Sequence, residues 1–189
     1  MSAWNYSEPL ISIRLECDDC MCPLSTSSND PGDLTIYTRN GTIYSQHFIK
    51  ECPNRWCRKR FGYGYSVKKD TKVFDKMTDK TKYIVCSNET AFTIDFLYEV
   101  TLQVLHLNAS FQGICDVYNQ LHNYNNDTMR AIIIPKHLAT GFFLYGFCEL
   151  TSRCGITPRM GTEPNWIDDA ILKYETELKR SFTQTLSSH

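Results

Sequence analysis

No stretch of the 189 residues approaches the roughly twenty consecutive apolar side chains that a membrane-spanning helix needs. The longest candidate, residues 141 to 150, is broken by Glu149 and flanked by Lys136 and Arg153. Residues 1 to 16 lack the apolar core of a secretory signal, because Glu8, Pro9 and Arg14 interrupt them. These absences predict an intracellular chain without a membrane partner, in a reducing compartment. Internal repeats are missing too, which excludes solenoid and propeller architectures. Net charge is only −1, so no global excess of one sign marks a partner.

Cysteine, by contrast, is plentiful. There are nine, an odd count that argues against a closed disulfide framework. Cys17 and Cys20 stand two residues apart, and Cys52 and Cys57, about thirty residues later, are separated by four. Two such thiol-bearing turns on neighbouring hairpins can present four soft ligands to one tetrahedral Zn²⁺, so the spacing predicts a zinc ribbon. The first turn leaves an alternative open, because Cys22 follows closely, although Cys20 completes the tighter pair. His47, just before the second turn, is the substitute ligand if one thiol is misassigned. Cys86, Cys115, Cys148 and Cys154 lie among apolar residues and read as small core hydrophobes. Five Asn-x-Ser/Thr sequons begin at Asn5, Asn40, Asn88, Asn108 and Asn126 and have local explanations as turn or cap residues.

The near-neutral total hides an asymmetry. Between Lys50 and Lys82 there are eleven Lys/Arg against four Asp/Glu, a surplus of seven positive charges. Arg55, Arg58, Lys59, Arg60, Lys68, Lys69 and Lys72 could meet phosphates, with Trp56, Tyr63 or Tyr65 stacking on a base.

Local patterns set the architecture. Residues 23 to 33 read as a loop. Asn40 and Gly41, between Leu34, Ile36 and Thr42 to Tyr44, predict a tight hairpin turn. An aromatic-glycine strand over Phe61 to Tyr65 and a strand over Lys82 to Cys86 follow. From Thr90 the period becomes helical: Phe92, Phe96, Leu97, Val100, Val104 and Leu105 form one stripe, with Ser87, Asn88 and Thr90 as candidate caps. A second helix starts at Ser110 with Phe111, Ile114, Cys115, Tyr118 and Leu121 on one face, and a third at Pro135 with Leu138, Phe142, Leu144, Tyr145 and Phe147. Trp166, Ala170, Tyr174, Leu178 and Phe182 give a last stripe. The expected fold is α+β: a small β-rich zinc ribbon over residues 14–86, followed by a helical subdomain over 88–185.

The order of these features resembles the cysteine-cluster domain that accompanies Kyakuja-Dileera-Zisupton (KDZ) transposases. The likeness spans roughly residues 14 to 150. It is carried by the two knuckles around a hairpin, by Phe61 to Tyr65, by Ser87 to Phe92, and by Ala109 to Gln112 with Val117 to Asn119. It implies a zinc-binding accessory module, with Cys17, Cys20, Cys52 and Cys57 as ligands, working in the nucleus with a larger transposase or transposase-derived protein. Asp95, Glu99, Asp116, Glu149, Asp168 and Asp169 fall in helical patterns without strands to gather them around Mg²⁺, and no Cys–His nucleophile pair is evident. The chain is therefore expected to be non-catalytic and to have no small-molecule substrate. Two roles remain: contact with DNA, or a structural and protein-interaction role in assembling the larger protein.

Overall fold

The computed structural model describes residues 7–26, 31–123 and 131–161. The last stripe, Trp166 to Phe182, lies outside the described residues, as do Asp168 and Asp169. The described chain is mixed α+β, with eleven strands in two sheets and three helices among the described residues. The strands are β1 (Leu10–Ile11), β2 (Ser25–Thr26), β3 (Gly32–Thr38), β4 (Gly41–Phe48), β5 (Lys50–Glu51), β6 (Arg60–Gly62), β7 (Tyr65–Lys68), β8 (Thr71–Phe74), β9 (Tyr83–Val85), β10 (Thr90–Thr93) and β11 (Arg159–Gly161). The helices are α1 (Ile94–Leu107), α2 (Phe111–Asn123) and α3 (Pro135–Arg153).

The first sheet has the order β1-β4-β3-β10-β9 and the second β11-β8-β7-β6-β5-β2. The β3–β4 hairpin forms where expected, but its register moves the turn by one residue. Thr38 faces Gly41, so Arg39 and Asn40 make the connection, and Gly41 takes the positive φ of 112°. The Thr38 hydroxyl tightens the turn, accepting from the Asn40 N–H and donating to the Gly41 carbonyl.

Thr90 to Thr93, which the periodicity assigns to the start of a helix, form strand β10 instead. β-Branched and aromatic side chains suit a strand, and the segment is held on both sides, parallel to β3 and antiparallel to β9. Helix α1 follows without a loop, with Asp95 in its first turn accepting from the Phe96 N–H. Ser87, Asn88 and Thr90 accordingly cap no helix; they shape the turn from β9 into β10, where the Ser87 N–H donates to the Thr90 carbonyl. The other helix starts are as expected. Ser110 Oγ accepts from the Gly113 N–H at the head of α2, and Pro135 occupies the first turn of α3.

One large buried cluster joins strands and helices, among them Leu34, Ile36, Phe92, Leu97, Val100, Leu138 and Leu144. Its members come from both sides of residues 86–88. Phe92 packs so closely on α3 that a Cβ on Gly141 would lie 2.6 Å from its ring, which explains the glycine in mid-helix. A second, smaller cluster consists of Cys17, Cys52 and Phe61, with Cys20, Cys22, Leu24 and Cys57 against it. Strand alternation separates the two surroundings of the second sheet. Phe61 on β6 turns towards the cysteines, while the pairs on either side of it in the register place Arg60, Val67, Lys72, Tyr65 and Phe74 on the opposite face.

Candidate metal centre and basic groove

Two tight turns build the cysteine site. In the first, the Cys17 N–H donates to the Cys22 carbonyl and the Met21 N–H to the Cys17 carbonyl, at 2.9 and 2.8 Å. Met21 takes a left-handed φ of 57°, and a bridge between Glu16 and Pro23 closes the base. The second turn lies between β5 and β6. The Cys52 N–H donates to the Lys59 carbonyl, the Cys57 N–H donates to the Asn54 carbonyl, and the Asn54 side chain accepts from the Trp56 N–H. Asn54 suits this place because its short amide mimics a backbone turn. Arg58 then adopts a left-handed φ of 48°.

The turns bring Cys17, Cys20, Cys52 and Cys57 together, with all four sulfurs within 4.8 Å of one another. Cys17 Sγ is 3.6 Å from Cys57 Sγ, and Cys20 Sγ is 3.4 Å from Cys52 Sγ. These separations are far too long for a disulfide, whose sulfurs bond at about 2.05 Å. They approach the edge of a tetrahedron, about 3.8 Å for four thiolates each about 2.3 Å from a central ion. The donor set therefore fits a metal ion. Cys22 packs against the group without joining it, and His47 lies elsewhere, buried in the wall of a cavity.

The thiols differ in acidity. Backbone hydrogen bonding from Cys22, with help from the Cys52 thiol, lowers the Cys20 pKa to about 6. Burial pushes Cys17 up and Cys52 up to about 12. Bringing a cation among them would displace the remaining protons, so metal uptake releases protons and weakens as pH falls.

The basic residues divide into two groups. Lys59, expected to meet phosphates, is buried, and its ammonium is held between Asp18 at 2.7 Å and Asp19 at 2.9 Å. Lys68 is paired with Asp19 at 2.6 Å. These lysines staple the second turn and strand β7 to the first turn, a role signalled in the sequence by the two acids inside Cys17–Cys20. Lys72 also leaves the phosphate set, because it points into the cavity beside Tyr65 and Phe74. Arg55, Trp56, Arg58, Arg60 and Lys69 are exposed, Trp56 at 82%. The Arg55 guanidinium lies 5.0 Å from the centroid of the Trp56 ring. Arg55, Arg58 and Arg60 line one open groove of about 520 Å³ with Ser25, Glu51, Cys52 and Pro53. Among the described residues none of the three arginines enters an ion pair.

Replacing Lys59 by methionine is expected to cost about 1–3 kcal/mol, between the values for exposed and fully buried pairs because Asp18 and Asp19 remain partly exposed. Thermal unfolding of the metal-loaded chain checks this. For Asp18, burial opposes the charge, but Lys59 and Arg14 outweigh it and hold the carboxyl below its ordinary value of 3.8. Lys68 and then Lys59 do the same for Asp19. Because both are depressed, the stabilisation is present above the ordinary carboxylate range and is lost as pH falls through the lower folded values.

The helical carboxylates stand apart from this centre. Glu99 pairs with Arg39, Asp116 accepts from Gln112, and Glu149 pairs with Arg153 one turn away. In comparisons with known proteins, the chain matches no family model, no curated protein and no solved structure.

Proposed function

We propose that this chain is a non-catalytic zinc-binding module that contacts nucleic acid, in the setting of a transposase or transposase-derived protein. The observation that carries the reading is the groove in which Arg55, Arg58 and Arg60 converge beside Cys52. A metal at the four thiols would supply structure rather than chemistry: it would fix the turn from which Arg55, Trp56 and Arg58 project. Unpaired guanidinium groups on a rigid turn suit phosphate oxygens, which they can bind with two parallel hydrogen bonds. Trp56, stacked with Arg55 and otherwise open, offers a platform for an unpaired base. The resemblance to the KDZ-associated cysteine cluster agrees with this role and with a nuclear setting.

The test is binding of duplex DNA across a salt series. Replacing Arg55, Arg58 and Arg60 together by alanine is expected to weaken binding broadly across sequences. It should also flatten the logarithmic salt slope by about 2.7, the contribution of three phosphate contacts. Metal content should stay unchanged. Absence of wild-type binding at low salt, or equal binding by the triple variant, would favour the second reading, a module for protein assembly. That reading has its own observation: Ile13, Leu15 and Met21, on and before the first turn, are 91%, 77% and 67% exposed.

A further inference from the structure

The second sheet carries a different feature on the face away from Phe61. A cavity of about 640 Å³ lies over it, walled by Tyr65, Val67, Lys72, Phe74 and Met160 from the sheet and closed by His47 and Leu144, among others. That volume falls within the roughly 300–1,000 Å³ of small-molecule sites. Its lining is mixed: an apolar and aromatic floor, the polar turn residues Ser87 and Asn88, two polar groups inside, Lys72 and His47, and Glu51 and Arg60 at the mouth.

The first interior point is Lys72. Its Nζ lies 3.9 Å from the centroid of the Tyr65 ring and 4.8 Å from that of Phe74, and it donates to the Val85 carbonyl at 3.3 Å. An ammonium has three donors, so this single bond leaves capacity unused. Among the described residues no carboxylate lies within ion-pairing distance of it. The nearby thiols of Cys86 and Cys148 are pushed up to about 12 by burial and stay neutral. The second point is His47, 4% exposed, whose Nε2 has no hydrogen-bond partner. Its ring is 5.9 Å from that of Tyr65, so Tyr65 flanks both polar groups. Burial, with Lys72 nearby, holds His47 down to about 4, so it is neutral and adds no second charge beside Lys72. Glu51 and Arg60, cross-strand neighbours at the mouth, are both exposed.

A partly desolvated cation without a counter-ion is costly, and Lys72 presents that cost to the cavity. An anionic occupant would supply the missing counter-ion. We infer that this cavity is a binding site for a small apolar carboxylate, whose oxygens are received by Lys72 Nζ and whose hydrocarbon part lies against Phe74, Leu144 and Met160. This site is independent of the metal, and it meets the arginine groove only at Glu51 and Arg60.

Octanoate, with octan-1-ol as its uncharged counterpart, tests the inference by isothermal titration of the metal-loaded full chain. Octanoate is expected to bind at one site about tenfold more tightly than octan-1-ol, the minimum that one charge-assisted hydrogen bond contributes. Lys72→Met should erase that preference, while Arg55→Ala with Arg58→Ala should leave it intact. Equal affinity for the two probes, no binding of either, or a preference that survives Lys72→Met would overturn the inference. Should Lys72→Met fail to fold, the wild-type contrast between the two probes still decides.

Discussion

Replacing Cys52 by serine is expected to abolish stoichiometric zinc binding and to unfold both cysteine turns while leaving most of the helical signal in place. The small cluster explains the first half. Apart from its five cysteines it contains only Phe61 and Leu24, and burial of each contributes about 1.5–3 kcal/mol. Ordering the roughly twelve residues of Cys17–Cys22 and Cys52–Cys57 costs about 1–2 kcal/mol per residue. Burial alone falls short by a wide margin. Structural zinc in finger peptides contributes about 10–16 kcal/mol, enough to close that gap. The second half follows from the separate large cluster, to which α1, α2 and α3 belong. Elemental analysis and far-ultraviolet circular dichroism of the variant check the two halves together. Unchanged metal content would remove Cys52 from the ligand set, and loss of all helix along with the metal would show one cooperative unit.

The second large effect is expected at Phe92, where alanine should cost about 3–5 kcal/mol, the usual range for a fully buried aromatic. Phe92 is 0% exposed, its ring centroid is 5.4 Å from that of Tyr37 on β3 and 6.1 Å from that of Phe96 on α1, and it fills the space left by Gly141 on α3. One side chain thus ties a central strand to two helices, so its removal should lower the urea midpoint of the whole described core. A loss below about 1 kcal/mol would mean that the site collapses around the smaller residue.

Phe92 also shows where the sequence was ambiguous. Its spacing to Phe96 and Leu97 suits a helix, and only pairing with the adjacent β9 and with β3, more than fifty residues earlier, makes residues 90–93 a strand. Helix starts with a local mechanism, Ser110 and Pro135, were legible because the cap and the first turn are written in adjacent residues. The cysteine cluster was legible for the same reason: thiols within each turn declare themselves by spacing, and only their meeting needed the fold. The basic residues were not, because charge alone does not tell a phosphate contact from a staple. Lys59 and Arg60 are neighbours on the boundary of β6, yet alternation sends Lys59 inward to Asp18 and Asp19 and Arg60 to the groove. The cavity left no trace in any local pattern, since His47, Lys72 and Leu144 come from three separate elements.

X-ray absorption at the zinc edge of the metal-loaded full chain bears most directly on the four-thiol centre. The expected result is one zinc per chain with four sulfur neighbours at about 2.3 Å and no nitrogen or oxygen in the inner shell. A shell containing a histidine nitrogen or a water oxygen in place of one sulfur, or a chain that takes up no zinc at neutral pH, would contradict it.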